Sequence, residues 1–314
     1  MHKPNIAVNL AGIAMKNPVM PASGTFGYGR EFADILDLNL LGAIVVKGIS
    51  LAPVAGNPTP RLTETPAGLL NAIGLQNPGC DAFIQDYLPF LRQFQTPLIV
   101  NIWGRTTEEY VEVAQRLNDV PGVHALELNI SCPNIKSGGI GFGTRPDLAR
   151  QVITAVRNTV KLPLIVKLPP HLFEMAAYAR LAEECGADAL SITNSLPAMT
   201  IDIETRRPTL ANVSGGLTGP AIYPVALKLV WEAAQAVSLP IIGMGGITSA
   251  REALAFIMAG ATAVAVGTSN FTHPETMPKV IQGIEEYLIR HNLNDIADLR
   301  GTLQAALPGA DKPE

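Results

Sequence analysis

A thiol, two lysines and four asparagines stand where apolar runs of this chain give way to polar ones. Cys132 sits in Asn129-Ile130-Ser131-Cys132-Pro133-Asn134, which closes a run beginning at Ala125. Free cysteine is most often a small buried hydrophobe, and Cys80 and Cys185 are read that way. Cys132 differs: it leaves a strand end for a glycine-rich stretch, with a proline fixing the turn, so its sulfur is expected to face the space beyond that strand. Lys47 and Lys167 interrupt apolar runs, where an ammonium is costly unless it meets an anion or forms a covalent adduct. A ligand contact, a Schiff base and a buried salt bridge all fit, and no carboxylate neighbours either lysine in the sequence. Asn71, Asn101, Asn129 and Asn194 offer donors and acceptors without charge, which suits a planar ligand carrying alternating C=O and N–H groups. Any one of them could merely cap a turn; four together ask for more.

Glycines supply another chemistry. Pro240 to Ile247 reads Pro-Ile-Ile-Gly-Met-Gly-Gly-Ile, and Ala263 to Thr268 reads Ala-Val-Ala-Val-Gly-Thr. Glycines ending two late strands leave backbone N–H groups open to a phosphate. The stretch Gly138 to Gly143 follows the Cys-Pro-Asn string and does not open a helix in a βαβ unit, so it is read as a lid and not as a dinucleotide loop. No histidine has a partner at metal-ligand spacing, and only His171 is placed to reach the same region.

These residues need a frame that gathers them. Strands are expected at Pro18 to Gly24, Ala43 to Ile49, Leu98 to Gly104, Ala125 to Ser131, Leu164 to Pro170, Ala189 to Ser195, Pro240 to Gly246 and Ala263 to Ser269. Their continuous apolar character fits parallel strands buried on both faces. Helical spacing fills Thr106 to Asn118, Asp147 to Val160 and Phe173 to Cys185, with Thr107 expected at a helix start. Eight strand–helix pairs predict an α/β fold, a (β/α)8 TIM barrel spanning 1–314 as a single domain, whose chemistry collects at the C-terminal strand ends. Asn5 to Lys16 is expected to form an N-terminal hairpin closing the other end. Ser50 to Gln76 and Leu196 to Thr218 are too long for ordinary loops and are assigned as two rim insertions.

Composition narrows the options. The chain has 314 residues, 47% of them hydrophobic, and a formal charge of −4 without a basic cluster. That opposes an extended nucleic-acid surface. No run approaches the ~18 apolar residues of a membrane span, so the cytoplasm is the expected location. Three widely spaced cysteines indicate neither a disulfide framework nor an iron–sulfur site.

Together, Pro21 to Gly27 (Pro-Ala-Ser-Gly-Thr-Phe-Gly), Val46 to Ile49, Asn71 to Gly79, Asn129 to Asn134 and the two glycine motifs make the chain resemble the dihydroorotate dehydrogenases nearly end to end. The Asn71 to Gly79 string and the Lys136 to Gly143 lid resemble most the catalytic subunit of the NAD-linked bacterial class. The resemblance implies FMN held by Ser23, Lys47, Gly48, Asn101, Asn129, Lys167, Thr193 and Gly219, with its phosphate on Gly245, Gly246, Gly267 and Thr268. It implies dihydroorotate or orotate against Lys47, Asn71, Ala72, Ile73, Gly74, Leu75, Asn129, Asn194 and Ser195, with Cys132 as the base at C5. A thiol titrating near ~8.5 becomes a usable base after a modest depression. A homodimer is implied too, each protomer bound to a partner carrying FAD and an iron–sulfur cluster. Trp103, His171 and Ser195 depart from the family's usual residues, which bears on the rim. The alternatives are a fumarate-using relative, another FMN barrel such as a dihydropyrimidine dehydrogenase, and a Schiff-base lyase acting on a phosphorylated substrate.

Overall fold

The structure, a computed structural model, describes residues 3–131, 140–171 and 173–304. Eight strands form its central sheet: β1 (Val19–Pro21), β2 (Ile44–Ile49), β3 (Leu98–Ile102), β4 (Ala125–Asn129), β5 (Leu164–Lys167), β6 (Ala189–Ile192), β7 (Ile241–Met244) and β8 (Ala263–Val266). Neighbours in this order pair in parallel from β2 through β8, and β8 pairs with β1. The Gly42 N–H donates to the Val19 carbonyl at 2.8 Å and draws β1 toward β2, closing the ring. All eight strands fall inside the runs read from the sequence. The strands are shorter than those runs, because each run's last residues leave the ladder to build the mouth.

Although both faces of each strand are buried, they differ chemically. Leu126 and Leu128 on β4, or Leu164 and Val166 on β5, point outward into the layer between sheet and helices. Inward-facing Ile99, Ala125, Ile165, Ala189 and Ile242 form an apolar floor. One pleat further toward the C-terminal ends, the inward positions turn polar at Asn101, Glu127, Lys167 and Ser191, all buried. Apolar runs therefore hide an abrupt change of character inside the barrel.

The N-terminal hairpin pairs Val8–Leu10 with Ile13–Met15 in antiparallel fashion. Ala11 and Gly12 turn it with φ of 51° and 88°, and Leu10, Ile13 and Met15 are buried in the floor layer. The lower end of the barrel is thereby plugged. Helices alternate with the strands, among them Thr107–Asn118, Pro146–Arg157, Met175–Glu184, Tyr223–Ala234, Ala250–Met258 and Thr276–Arg290. Thr106, one residue before the expected start, is the N-cap of Thr107–Asn118; its hydroxyl accepts the Glu109 N–H at 3.3 Å.

The two rim insertions are not separate. Leu62–Thr65 and Gly68–Asn71 from the first, with Leu196–Ala198 and Gly215–Thr218 from the second, make one four-stranded antiparallel sheet. Among the described residues, no helix is long and apolar enough to cross a membrane.

Candidate active site

The cleft at the C-terminal ends of the strands encloses about 1180 Å³, counting the solvent at its mouth. Strands β2 to β6 contribute a polar wall of Lys47, Gly48, Asn101, Asn129, Lys167, Thr193, Asn194 and Ser195. Strands β7, β8 and β1 contribute Met244, Ala265 and Ala22, an apolar wall continued by Gly245, Gly246, Gly267, Thr268 and Ser23. The rim sheet adds Asn71 and Thr218, and Ile73, Gly74, Leu75 and Gly219 complete the border. Among the described residues, every candidate ligand residue named from the sequence lines this cleft except Ala72. Ala72 is fully buried with Leu70 and Leu210 inside the rim insertions, behind the segment it was expected to share with the ligand. Cys132 lies outside the described residues, as does the 136–139 part of the expected lid; Ile140–Thr144 is a short helix.

The amides are held in place. Asn129 Oδ1 accepts from the Ser131 N–H at 3.2 Å and the Ser131 hydroxyl at 2.9 Å, and its main-chain carbonyl accepts the buried Tyr110 hydroxyl at 2.7 Å. Asn194 Nδ2 donates to Ser131 Oγ at 2.9 Å, so one serine ties two asparagines from different strands. Asn71 Nδ2 donates to the Gly216 carbonyl at 3.1 Å across the rim sheet. Asn77 pins the Asn71 to Gly79 segment to the end of β2: its Oδ1 accepts from the N–H groups of Ser50 and Gly79, and its Nδ2 donates to the Leu75 carbonyl.

Lys167 is 5% exposed and its Nζ donates to Ser23 Oγ at 3.3 Å. Glu127 Oε1 lies 4.0 Å from that ammonium. The buried salt bridge weighed from the sequence therefore exists for Lys167, with a carboxylate supplied by the adjacent strand. Glu127 was overlooked because it hides within an apolar strand. Its signal was there to find, since an acid at an inward position of a barrel strand needs a cation or donors. The described residues lining the cleft include two lysines and no carboxylate, which favours anionic ligands.

The phosphate candidates are built from loops that brace each other. Ser249 and Glu252 form a capping box at the start of Ala250–Met258, fixing the chain just after Gly246. Ser269 Oγ donates to the Ile247 carbonyl at 2.9 Å, joining the β7 loop to the β8 loop. Gly246 has φ 72°, and a Cβ there would meet Tyr223 Cβ at 2.6 Å and the Gly219 carbonyl oxygen at 2.9 Å. Position 246 thus requires glycine whether or not a ligand is bound. FMN fits this cleft on one further observation: Thr193 Oγ1 is buried in the wall with no hydrogen-bond partner, a polar atom that a ligand would satisfy.

Two residues expected to reshape the rim do not line it. Trp103 is buried behind Gly48 and Asn101, and a Cβ on Gly48 would meet its ring at 3.3 Å. His171 stacks on Tyr178 at 3.6 Å, and its Nε2 lies 2.6 Å from the Gly143 carbonyl, so it braces the end of the β4 loop. Burial pushes its imidazole below the ordinary range, outweighing the Gly143 contact. Cys80 and Cys185 are buried free thiols, and burial pushes Cys80 up to about 11, away from nucleophile chemistry.

Comparison with known proteins bears on this geometry. The family model described as dihydroorotate dehydrogenase matches residues 5–288. The dihydroorotate dehydrogenase B (NAD(+)) catalytic subunit of Geotalea uraniireducens is 56% identical over 303 residues, 96% of this chain and 99% of that protein. Its namesake from Alkaliphilus oremlandii is 53% identical over 303 residues, 96% of this chain and all of that protein. Among solved structures, DHODH from Eimeria tenella in complex with ferulenol superposes with a TM-score of 0.80 at 25% identity, covering 95% of this chain and 88% of that one.

Proposed function

The chain belongs to the dihydroorotate dehydrogenase family, FMN enzymes that oxidise dihydroorotate to orotate in pyrimidine biosynthesis, and from that premise we propose how its residues divide the work. Ser23, Lys47, Gly48, Asn101, Asn129, Lys167, Thr193 and Gly219 hold FMN across the cleft, and Gly245, Gly246, Gly267 and Thr268 receive its phosphate. When bound, FMN supplies the acceptor for the hydride leaving C6 of dihydroorotate. Asn71, Asn129 and Asn194 orient the dihydropyrimidine ring through its alternating carbonyl and N–H groups. Ile73, Gly74, Leu75 and Ser195 border it, while Ala72 supports that segment from behind. The Lys47 ammonium meets the substrate carboxylate. Cys132 Sγ takes the proton from C5. Lys167 presents a fixed positive charge to the cofactor.

The observation that carries this reading is the lining itself: four asparagine amides and two lysines, without a lining carboxylate among the described residues, beside a glycine-bordered wall. Relatives named as catalytic subunits support a wider proposal. In it the chain is a cytoplasmic single-domain protein that dimerises, and each protomer passes electrons to NAD through a partner subunit carrying FAD and an iron–sulfur cluster.

The test is anaerobic. Purified FMN-loaded chain mixed with dihydroorotate should lose its yellow absorbance and release stoichiometric orotate, while dihydrouracil should leave it unchanged. Cys132→Ala should retain FMN but bleach about 10²- to 10⁴-fold more slowly, the usual share of a general base. Failure of wild-type bleaching would overturn the substrate assignment, and normal bleaching by the variant would overturn the base.

A further inference from the structure

Beneath the polar wall lies a carboxylate that the proposed division of work leaves unused. Glu127 is 1% exposed and points into the barrel from the middle of β4. Its Oε2 accepts from Ser191 Oγ on β6 at 2.7 Å, and its Oε1 accepts from Asn101 Nδ2 on β3. Two neutral donors, one from the adjacent β3 and one from β6 beyond β5, thus fix the carboxylate. The remaining neighbour is cationic. Lys167 Nζ on β5 stands 4.0 Å from Oε1, too far for a direct hydrogen bond and close enough for strong pairing of charges out of water. The ammonium donates a hydrogen bond to Ser23 Oγ across the cleft.

We infer that Glu127 is a positioning residue: its carboxylate holds the Lys167 ammonium in the cleft wall and offsets its charge, and so sets the electrostatic potential that a bound cofactor meets. A structural role alone does not require an acid here, since a glutamine oxygen would accept from Asn101 while its amide N–H donates to the Ser191 hydroxyl, which can reverse its direction. A buried anion costs far more than a buried amide unless a cation is near, and the Lys167 ammonium is the cation that lies beside it. The same pairing acts outward. With Glu127 present, the cleft sees a cation partly cancelled from behind; with a neutral side chain, it sees the full charge, which favours the more negative, reduced form of any redox ligand.

This inference rests on the cofactor placement proposed above, and its test separates the two. The midpoint potential of bound FMN is measured in wild type, Glu127→Gln and Glu127→Asp. Glu127→Gln should favour reduced over oxidised FMN about tenfold relative to wild type, a rise of about 30 mV for a two-electron couple. Glu127→Asp keeps the charge and should return most of that shift. An equal shift in Glu127→Asp overturns the inference, as does a wild-type potential in Glu127→Gln together with additive losses in the apoprotein cycle below.

Thermal unfolding of the apoprotein reads the pair without any cofactor. Glu127→Gln and Lys167→Met should each destabilise, and the double variant should lose clearly less than the sum, because removing both charges leaves neither stranded. Additive losses also overturn the inference. Should FMN prove to bind elsewhere, the potentials would not respond to Glu127 while the apoprotein cycle stayed non-additive, so the cofactor placement would fail alone.

Discussion

Gly267 separates two questions that Gly246 confounds. Any side chain at Gly246 collides with Tyr223 and forces a left-handed backbone, so losing cofactor there could follow from a damaged fold. Gly267 has no such strain, and its nearest atom to an added Cβ is Ala22 Cβ at 3.7 Å. Gly267→Asp should therefore fold with a melting temperature near wild type yet purify with FMN content reduced about tenfold or more, because a carboxylate repels the phosphate across a short distance. Stoichiometric FMN in that variant would move the phosphate elsewhere. At this scale the sequence was informative wherever a residue broke an apolar run: Lys47, Lys167 and the four asparagines all reach one cleft. It was silent about the Glu127–Lys167 pair, because the partners sit on neighbouring strands and touch only once the barrel closes. Ala72 packs with Leu70 and Leu210 and is not part of the cleft lining, because adjacency to Asn71 does not decide which way a neighbouring side chain faces.

Elements were legible where a short-range pattern defines them. The eight strands announce themselves as buried runs and the helices by their spacing, and the helix expected to start at Thr107 does start there, with Thr106 as its N-cap. The hairpin plug gives a direct test of the floor. Leu10 is fully buried beneath the strands, so Leu10→Ala should cost about 2–5 kcal/mol in urea unfolding through the cavity it leaves. The KM for dihydroorotate should not move, since the mouth is at the other end, and a raised KM would show that floor and mouth are coupled. His171 offers a pH test. Its imidazole is held below its ordinary value by burial, so the folded protein resists a proton that the unfolded chain accepts. Stability should be complete above about pH 6.5 and fall as acid is added through the depressed value. His171→Gln should melt lower at neutral pH, having lost the Gly143 contact, but its melting temperature should decline less steeply on the acid side. Parallel curves for the two proteins would exclude His171 as a source of acid sensitivity.

For the molecule as a whole, the open question is how electrons leave. The described residues contain no group of three or more His, Cys, Asp or Glu arranged to hold a metal ion, and relatives over half identical are named as catalytic subunits. Orotate production by the isolated chain, supplied with fumarate or NAD, should be negligible until a flavoprotein carrying FAD and an iron–sulfur cluster is added, after which NAD should support turnover. Rapid fumarate-dependent turnover by the chain alone would replace the partner proposal with a self-sufficient enzyme. Global architecture was readable from the count and order of strands, but the rim was not. Its sheet pairs stretches as distant as Asn71 and Gly216, 145 positions apart, and no local pattern reports so long a link. That sheet also constrains how the gene can change. Side chains alternate sides along a strand, so a single-residue deletion inside Leu196–Ala198 or Gly215–Thr218 would turn that strand's faces inside out relative to its partner. The paired strands of the two insertions cannot be trimmed or lengthened independently, and across a lineage changes of length should fall in the segments between them.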